Sequence, residues 1–198
     1  MSEPDALLHD FQSITKPLGL EELFTQPQPV ELEIGCGDGG FLLEYARRHP
    51  ERNFLGVERL LGRVRKLSKR GQHAGLNNLR LLRIEARYLL DYLLPERAFS
   101  AVHIYFPDPW PKDKHARHRL IQPDFLPRIR RILAPDGLLY LRTDDPPYFG
   151  QMQNTFRDAE GFAEESTPAA LSEITSEFER QWLTEGKRTH YAAYRLNS

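Results

Sequence analysis

Short apolar segments alternate with amphipathic segments along this 198-residue chain, and that alternation limits the folds it can adopt. The apolar segments predict strands, and the segments between them have the periodicity of helices. The predicted strands are Val30–Ile34, Asn53–Glu58, 79–84, 100–106, 138–143, 162–164 and 191–196, and the predicted helices are 41–49, 88–94, 149–158 and two that end near residues 71 and 133. This spacing is typical of a doubly wound α/β fold. We expect a mostly parallel, seven-stranded sheet with an antiparallel C-terminal strand, and a ligand at the carboxyl ends of the strands.

Length and composition fit one globular domain. The chain is 40% hydrophobic and 28% charged, which are ordinary values for a folded protein. We expect a single domain over residues 1–198, in which residues 1–29 form an N-terminal extension.

Nothing in the sequence predicts a membrane or secreted protein. No run approaches the roughly 18 apolar residues of a membrane span. The start, Met1-Ser2-Glu3-Pro4-Asp5, is acidic and lacks the features of a signal peptide. Cys36 is the single cysteine, so no disulfide can form within the chain, and this suits a reducing compartment. We expect a cytoplasmic protein.

A proline-rich loop follows the predicted strand 100–106. It reads Phe106-Pro107-Asp108-Pro109-Trp110-Pro111-Lys112, and its prolines favour extended backbone and remove amide donors. The loop carries one carboxylate, Asp108, and one indole, Trp110, and basic residues follow it. Such a loop suits a site that receives a planar base of a polyanion. Trp110 could stack on that base or could plug the loop against the core, and the sequence leaves both open.

Charge is unevenly distributed although the formal net charge is −1. Basic residues dominate 59–70 and again 112–131, while most compensating acids follow Asp158. The basic residues of the first run are Arg59, Arg63, Arg65, Lys66, Lys69 and Arg70. This asymmetry favours a basic face that binds nucleic acid. Two solvated helix faces would produce the same pattern.

Glycines follow the first long strand, at Gly35, Gly37, Gly39 and Gly40. The spacing fits both the G-x-G-x-x-G of dinucleotide-binding enzymes and the G-x-G-x-G of S-adenosylmethionine enzymes. Glu58, at the end of the next strand, suits a ribose diol in either case. Spacing alone therefore does not choose between the two cofactors.

Carboxylates near the predicted strand ends favour the second cofactor. Glu33, Asp38, Glu58, Glu85 and Asp108 would repel a pyrophosphate and attract the sulfonium and ammonium of S-adenosylmethionine. Asp38 could instead be a helix cap. We expect S-adenosylmethionine on this charge argument.

The chain resembles the bacterial tRNA (guanine-N7)-methyltransferases over nearly its whole length. The motifs that carry the resemblance are 32–39 (LEIGCGDG), 54–58 (FLGVE), 78–80 (NLR), 106–112 (FPDPWPK) and 143–144 (TD). The resemblance implies a Rossmann-like class I methyltransferase fold. It also implies transfer of a methyl group from S-adenosylmethionine to N7 of a variable-loop guanosine, position 46, in tRNA.

The resemblance also implies roles for individual residues. The implied cofactor contacts are Glu33, Gly35, Gly37, Gly39, Glu58, Glu85, Ala86 and Asp108, and Asp108 is also the implied catalytic residue. The implied substrate contacts are Lys112, Arg117, Arg119, Asp144, Thr175, Ser176, Phe178 and Glu179.

Two motifs depart from the family pattern. The C-terminal T-x-[FY]-E element is here Thr175-Ser176-Glu177-Phe178-Glu179, so either Ser176 replaces the threonine or Thr175 serves with one residue inserted. The R-H-x-K-R-R that follows the proline loop is here 114–119, KHARHR. This stretch keeps the basic charge of the family motif, but the individual residues that would contact phosphates differ.

Other functions fit parts of the sequence. An NAD-dependent oxidoreductase would explain the glycines, but not the acids. A small-molecule methyltransferase would have no use for the basic run 59–70, and an acidic rim would repel RNA from a non-catalytic RNA-binding module. His115 and His118 stand three apart, yet no further ligand cluster accompanies them, so we expect no metal site. Monomer and homodimer both remain open.

Overall fold

The computed structural model describes residues 7–176, 179–180 and 184–197. Phe178, an implied substrate contact, lies outside the described residues. The strands are β1 (Leu8–His9), β2 (Val30–Ile34), β3 (Asn53–Glu58), β4 (Leu79–Arg83), β5 (Phe99–Tyr105), β6 (Leu133–Thr143), β7 (Phe162–Glu165) and β8 (His190–Leu196). The helices are α1 (Leu20–Leu23), α2 (Leu42–Arg48), α3 (Leu61–His73), α4 (Ala86–Tyr88), α5 (Phe125–Ile132), α6 (Pro146–Arg157) and α7 (Ala169–Ser172). A π-helical turn, Leu89–Leu93, continues α4, and a 3₁₀ helix spans Asp113–His118.

Within the described residues the strands form one sheet of eight, in the order β1-β4-β3-β2-β5-β6-β8-β7. Neighbours from β4 to β6 are parallel, and β8 is antiparallel to both β6 and β7. The chain winds outward from β2 through β3 to β4, then crosses back to β5 and β6. The strand order therefore reverses at β2, and a crevice opens there at the carboxyl ends of β2 and β5. The predicted fold class is confirmed.

The sheet has one strand more than the seven predicted. The extra strand, β1, pairs Leu8 with Leu81 and His9 with Leu82 at the edge of the sheet. Two residues are too few to produce a periodic pattern, so the sequence had no signal for this strand.

Both faces of the sheet are covered, which is why the central strands are apolar. Every residue of β2 and β3 is buried. The α2 and α3 side contributes one hydrophobic cluster, in which Val64 and Leu67 of α3 are buried. The α5 and α6 side contributes the other, with Ile129 and Met152 fully buried. In the described part of the chain, no helix combines the length and apolarity that a membrane span requires.

Strand β6 begins before the predicted strand 138–143 and contains a bulge at 135–137. Asp136 has φ 58°, and the pairing of β5 with β6 shifts between Phe99 and Ala101. A Cβ on Gly137 would lie 2.8 Å from the carbonyl oxygen of Ala134, so the bulge needs glycine there.

Candidate active site

A cavity of about 430 Å³ lies at the carboxyl ends of β2 to β5. This is a size typical of sites for small organic ligands. Its lining includes the predicted cofactor contacts Gly35, Glu58, Glu85, Ala86 and Asp108. Residues from four strand ends therefore meet at one site, as the parallel sheet requires.

The glycine turn brings backbone close to this cavity. Gly35, Gly37 and Gly39 have φ values of 78°, 56° and 80°, which side-chain-bearing residues rarely adopt. The amides of Gly35 and Cys36 both donate to the carbonyl of Val57, so the turn is anchored to β3. A Cβ on Gly35 or Gly37 would meet nothing within 4 Å, so space remains beside the turn for a ligand.

Glu58 is held rigidly in the cavity wall. Its Oε1 accepts from the backbone N–H groups of Arg59 and Leu60 at 2.8 and 2.9 Å. Its Oε2 lies 3.8 Å from Arg63 Nη1. One oxygen is thus fixed by backbone donors while the other can accept from a ligand hydroxyl, a geometry that suits a ribose diol.

Glu85 begins α4 as its N-cap. Its Oε2 accepts from the backbone N–H of Tyr88 at 2.8 Å, which satisfies one of the free donors of the first turn. The cap fixes the direction of the side chain, and Ala86 follows it in the cavity lining. The carboxylate of Glu85 therefore both caps α4 and lines the cavity.

The rim of the cavity carries both signs of charge. Arg59, Arg63 and Arg87 line the same cavity as the carboxylates. Arg59 lies in the connection before α3 and Arg63 in its first turn, and the packing of that helix brings both over the strand ends. Asp38 is outside the cavity lining, pairs with Lys66 at 2.9 Å and does not cap α2, whose N-cap is Phe41.

Glu33 lies beneath the turn, on the face of the sheet that α2 and α3 cover. It is 4% exposed, and burial raises its pKa to about 8, an effect that the nearby charge of Arg142 partly offsets. Its Oε2 is buried and has no hydrogen-bond partner among the described residues. An unpartnered carboxylate oxygen behind the glycine turn suits a cationic ligand group, because such a group would satisfy it.

The proline loop after β5 is strained and held from both sides. Phe106 and Trp110 have φ values of 52° and 43°, and each such residue costs about 1–3 kcal/mol unless its surroundings impose the conformation. The amide of Phe106 donates to the carbonyl of Arg142 at 2.8 Å, and Arg119 Nε donates to the carbonyl of Pro109 at 2.7 Å. The loop therefore presents its side chains in one conformation.

Asp108 and Trp110 both face the cavity from this loop. Asp108 is exposed and makes no ion pair with the described residues. Trp110 is 37% exposed and packs against His115 and His118, with ring centroids 5.9 and 5.0 Å away. This position favours the stacking role for Trp110, because a plug in the core would be buried.

The predicted substrate residues that the structure describes lie outside the cavity lining, and they differ in exposure. Lys112 and Arg117 are exposed beside the proline loop. The Asp144 side chain is 22% exposed and lies 3.9 Å from Lys187 Nζ. Arg119 is only 8% exposed, with Nη1 2.5 Å from Gln151 Oε1, so we reassign it from phosphate binding to support of the loop.

Ser176 and Glu179 of the C-terminal element bond to each other. Ser176 Oγ accepts from the Glu179 amide at 3.1 Å, and Glu179 Oε2 accepts from the Ser176 amide at 3.4 Å. This reciprocal pair is a capping box. Thr175 contributes its carbonyl to Arg180 Nη1 instead.

Glu179 itself is not available for direct substrate contact. It is 1% exposed, and its Oε1 accepts from the hydroxyls of Thr189 and Tyr191, each at 3.0 Å. The prediction of a substrate contact at Glu179 is therefore replaced by support of the segment around Ser176. The residue type was informative, but only the tertiary structure shows which way the side chain points.

Sequence reasoning missed Arg142. It alternates with Leu141 and Leu139 in β6, a pattern that normally places a charged residue in solvent. In the structure it is 2% exposed and bonded to Glu179 and to two backbone carbonyls. The available signal was a basic residue in a strand that the fold predicts to be buried on both faces.

The chain is similar in sequence to known methyltransferases. The family model described as "Putative methyltransferase" matches residues 27–192. The tRNA (guanine-N(7)-)-methyltransferase of Thermotoga maritima is 35% identical over 174 residues, which are 87% of this chain and 56% of that protein. The protein of the same name from Syntrophotalea carbinolica is 34% identical over 190 residues, which are 94% of this chain and 82% of that protein. The chain thus spans little more than half of one relative and most of the other.

Solved structures agree on the fold. The 16S rRNA methyltransferase KamB matches with a TM-score of 0.64 at 17% identity, covering 90% of this chain and 93% of that one. At this identity the likeness shows the fold, which is that of class I S-adenosylmethionine-dependent methyltransferases. With the family model and the relatives, it follows that the chain belongs to the family of the tRNA (guanine-N(7)-)-methyltransferases.

Proposed function

We propose that this protein transfers a methyl group from S-adenosylmethionine to N7 of guanosine 46 in the variable loop of tRNA. The observation that carries the proposal is that Asp108 and Trp110, on the strained proline loop, line the same cavity as Glu58 and Gly35. A cofactor bound at the strand ends and a base received by the loop would share one space. Because the proposed substrate is tRNA, we expect the reaction to take place in the cytoplasm.

The residues of the cavity fit S-adenosylmethionine. Glu58 has one oxygen free for ribose hydroxyls, and Ala86 offers apolar surface beside it. The open turn at Gly35 and Gly37 would admit the amino-acid part, and Glu33 Oε2, which has no hydrogen-bond partner among the described residues, would accept from its ammonium. The cofactor supplies an electrophilic methyl group on a sulfonium. The protein has only to hold the cofactor and to exclude orientations in which its methyl group does not face the base.

Guanine N7 needs no general base, because it carries a lone pair and no proton at neutral pH. Rate enhancement then comes from alignment and from the field on the charge that moves to the base. Asp108 is exposed to the cavity and unpaired among the described residues, so it can stabilise that charge or accept from the exocyclic amine. Stacking on Trp110 would add about 1–3 kcal/mol of binding.

The decisive experiment is incubation of the protein with labelled S-adenosylmethionine and unmodified tRNA, followed by chain cleavage at 7-methylguanosine. A single cleavage site at position 46 is expected, and tRNA carrying adenosine there should not be labelled. Label at another nucleotide, or no label at all, would refute the proposal. Because three arginines line the cavity, binding of S-adenosylhomocysteine and NADH should also be compared, and only the former should bind.

Replacing Asp108 by Asn tests the catalytic role. Methyl transfer to tRNA should fall by about 10²-fold, a loss typical of one electrostatic group at a reacting centre. The control is Asp136→Asn, the same chemical change at an exposed position in the β6 bulge, where asparagine tolerates the positive φ of 58°. Single-turnover rates measure both variants, and thermal unfolding checks that each is folded. A wild-type rate for Asp108→Asn would remove Asp108 from the mechanism.

A further inference from the structure

Arg142 is a buried cation that the proposed chemistry leaves unexplained. It stands in β6 two residues before Asp144, and its side chain is 2% exposed. Burial of a guanidinium is costly, and well-packed apolar residues often replace buried ion pairs without loss of stability. Packing alone therefore does not account for arginine at this position.

The guanidinium binds the C-terminal segment that ends in the capping box. Its Nη1 donates to the carbonyl of Ile174 at 3.0 Å and to Glu179 Oε2 at 3.4 Å, and its Nη2 donates to the carbonyl of Leu171. Two fixed backbone carbonyls and one carboxylate converge on a single side chain. Residues 171–176 and Glu179 are therefore attached to the sheet through Arg142.

The same residue also holds the start of the proline loop. Its guanidinium carbon lies 4.0 Å from the centroid of the Tyr105 ring, a cation–π distance. Its backbone carbonyl accepts from the amide of Phe106, whose φ of 52° begins the strained loop. Asp108 follows two residues later. One side chain and its own backbone thus contact both segments that would meet the tRNA.

We propose that Arg142 is a positioning residue, which holds the C-terminal substrate segment 171–176 in register with the proline loop, so that bound tRNA delivers its guanosine to Asp108. This inference rests on the proposed function for its substrate. Glu179 completes the link, because it bonds Arg142 on one side and Ser176, Thr189 and Tyr191 on the other.

The first test separates positioning from simple stabilisation. Arg142→Met should keep S-adenosylhomocysteine affinity within about twofold while raising KM for tRNA and lowering kcat, each by about tenfold. Arg142→Lys, which retains the charge and can still donate to the carbonyls, should recover part of both. The matched control is Arg131→Met. Arg131 also donates to two backbone carbonyls, those of Leu90 and Leu94, but on the opposite face of the sheet, so its loss should leave KM for tRNA unchanged.

The second test does not need methyl transfer. Hydrogen–deuterium exchange of Arg142→Met should show faster exchange in both 171–176 and 106–112, with β3 and α3 unchanged. Failure of the wild-type protein to methylate tRNA would refute the proposed function, while this exchange pattern would still support the structural link. Faster exchange in only one segment, or equal acceleration throughout the chain, would overturn the positioning role.

If Arg142→Met does not fold, a substitution of its partner Glu179 tests the same proposal. Glu179→Gln preserves the shape of the side chain and, through Oε1, its bonds to Thr189 and Tyr191. It replaces the Oε2 that accepts from Arg142 and from the Ser176 amide with an NH2 group, which accepts from neither. It should raise KM for tRNA about threefold without changing S-adenosylhomocysteine affinity. An unchanged KM in Glu179→Gln would count against the proposal.

Discussion

Burial changes the protonation of the Glu33 carboxyl. Burial raises the pKa of its carboxyl from the ordinary value of 4.5 to about 8, and the charge of Arg142 offsets only part of that effect. Tyr105 and Cys36 also face it, and burial raises the pKa of both. The folded protein therefore keeps a proton on Glu33 at a pH where the unfolded chain has lost it.

Because the pKa of Glu33 differs between the folded and unfolded chain, the free energy of unfolding depends on pH. Between the unfolded pKa of 4.5 and the folded pKa of about 8, unfolding releases a proton, so the free energy of unfolding falls as pH rises. The slope from this one group is on the order of 1.4 kcal/mol per pH unit. Glu33→Gln should remove that component. Urea unfolding of both proteins at several pH values between 5 and 8 measures the difference, and parallel curves would show that Glu33 does not titrate in this way.

Single residues were also where sequence reasoning failed most often. Glu58, Glu85 and Asp108 meet at one cavity as expected, since parallel strand ends share an edge. Arg119 and Glu179 do not reach the substrate side, because each is buried and bonded to its own fold. Residue type and position suggest a polar role, but the direction of a side chain depends on neighbours that are distant in sequence.

At the scale of elements, the glycine turn can be tested by adding one methyl group. A Cβ on Gly39 would lie 2.1 Å from Leu67 Cδ1 in α3, and Leu67 is fully buried. Gly39→Ala should therefore lower the free energy of unfolding by about 2–4 kcal/mol, from overpacking together with the positive φ. Gly37→Ala is the control, because a Cβ there meets nothing within 4 Å and only the conformational cost of about 1–2 kcal/mol remains.

Urea unfolding of the two glycine variants gives the comparison. Equal losses would mean that α3 moves to admit the methyl group, and that the turn does not set the position of that helix. The expected larger loss at Gly39 would show that the turn and α3 are packed as one unit. That unit matters for the site because Arg63 of α3 faces Glu58.

The proline loop shows how far local rules extend. Its prolines predicted extended, non-helical backbone, and residues 107–111 have no helix or strand structure. The positive φ values of Phe106 and Trp110 had no local signal. They are imposed by hydrogen bonds from outside the loop, through the carbonyl of Arg142 and the guanidinium of Arg119.

At the scale of the whole molecule, the basic run predicted from sequence is only partly free to bind a polyanion. Arg63 faces Glu58, and Lys66 pairs with Asp38, which also accepts from Arg70 through its carbonyl. The side chains of Arg65 and Lys69 are exposed on α3 and make no bond to the described residues. These two are therefore the strongest candidates in the run for phosphate contacts.

Neutralising them should weaken tRNA binding in a salt-dependent way. Arg65→Gln with Lys69→Gln should reduce the slope of log K against log salt concentration by roughly 1.4–1.8, because each phosphate contact contributes about 0.7–0.9. Arg157→Gln is the control, since α6 covers the opposite face of the sheet. Binding titrations at several salt concentrations measure the slopes. An unchanged slope in the double variant would show that α3 does not contact the tRNA backbone.

The sequence by itself determined the order and type of the main elements, the glycine turn, the identity of the proline loop and the family. These follow from hydrophobic periodicity, from backbone preferences of glycine and proline, and from contiguous motifs, all of which act over a few residues. Tertiary structure alone decided that Arg59, Arg63 and Arg87 share the cavity with the carboxylates, that Arg119 and Glu179 face inward, and that Arg142 joins two distant segments. Each of these outcomes depends on which elements pack together, and burial and pairing energies act between residues that are far apart in the chain.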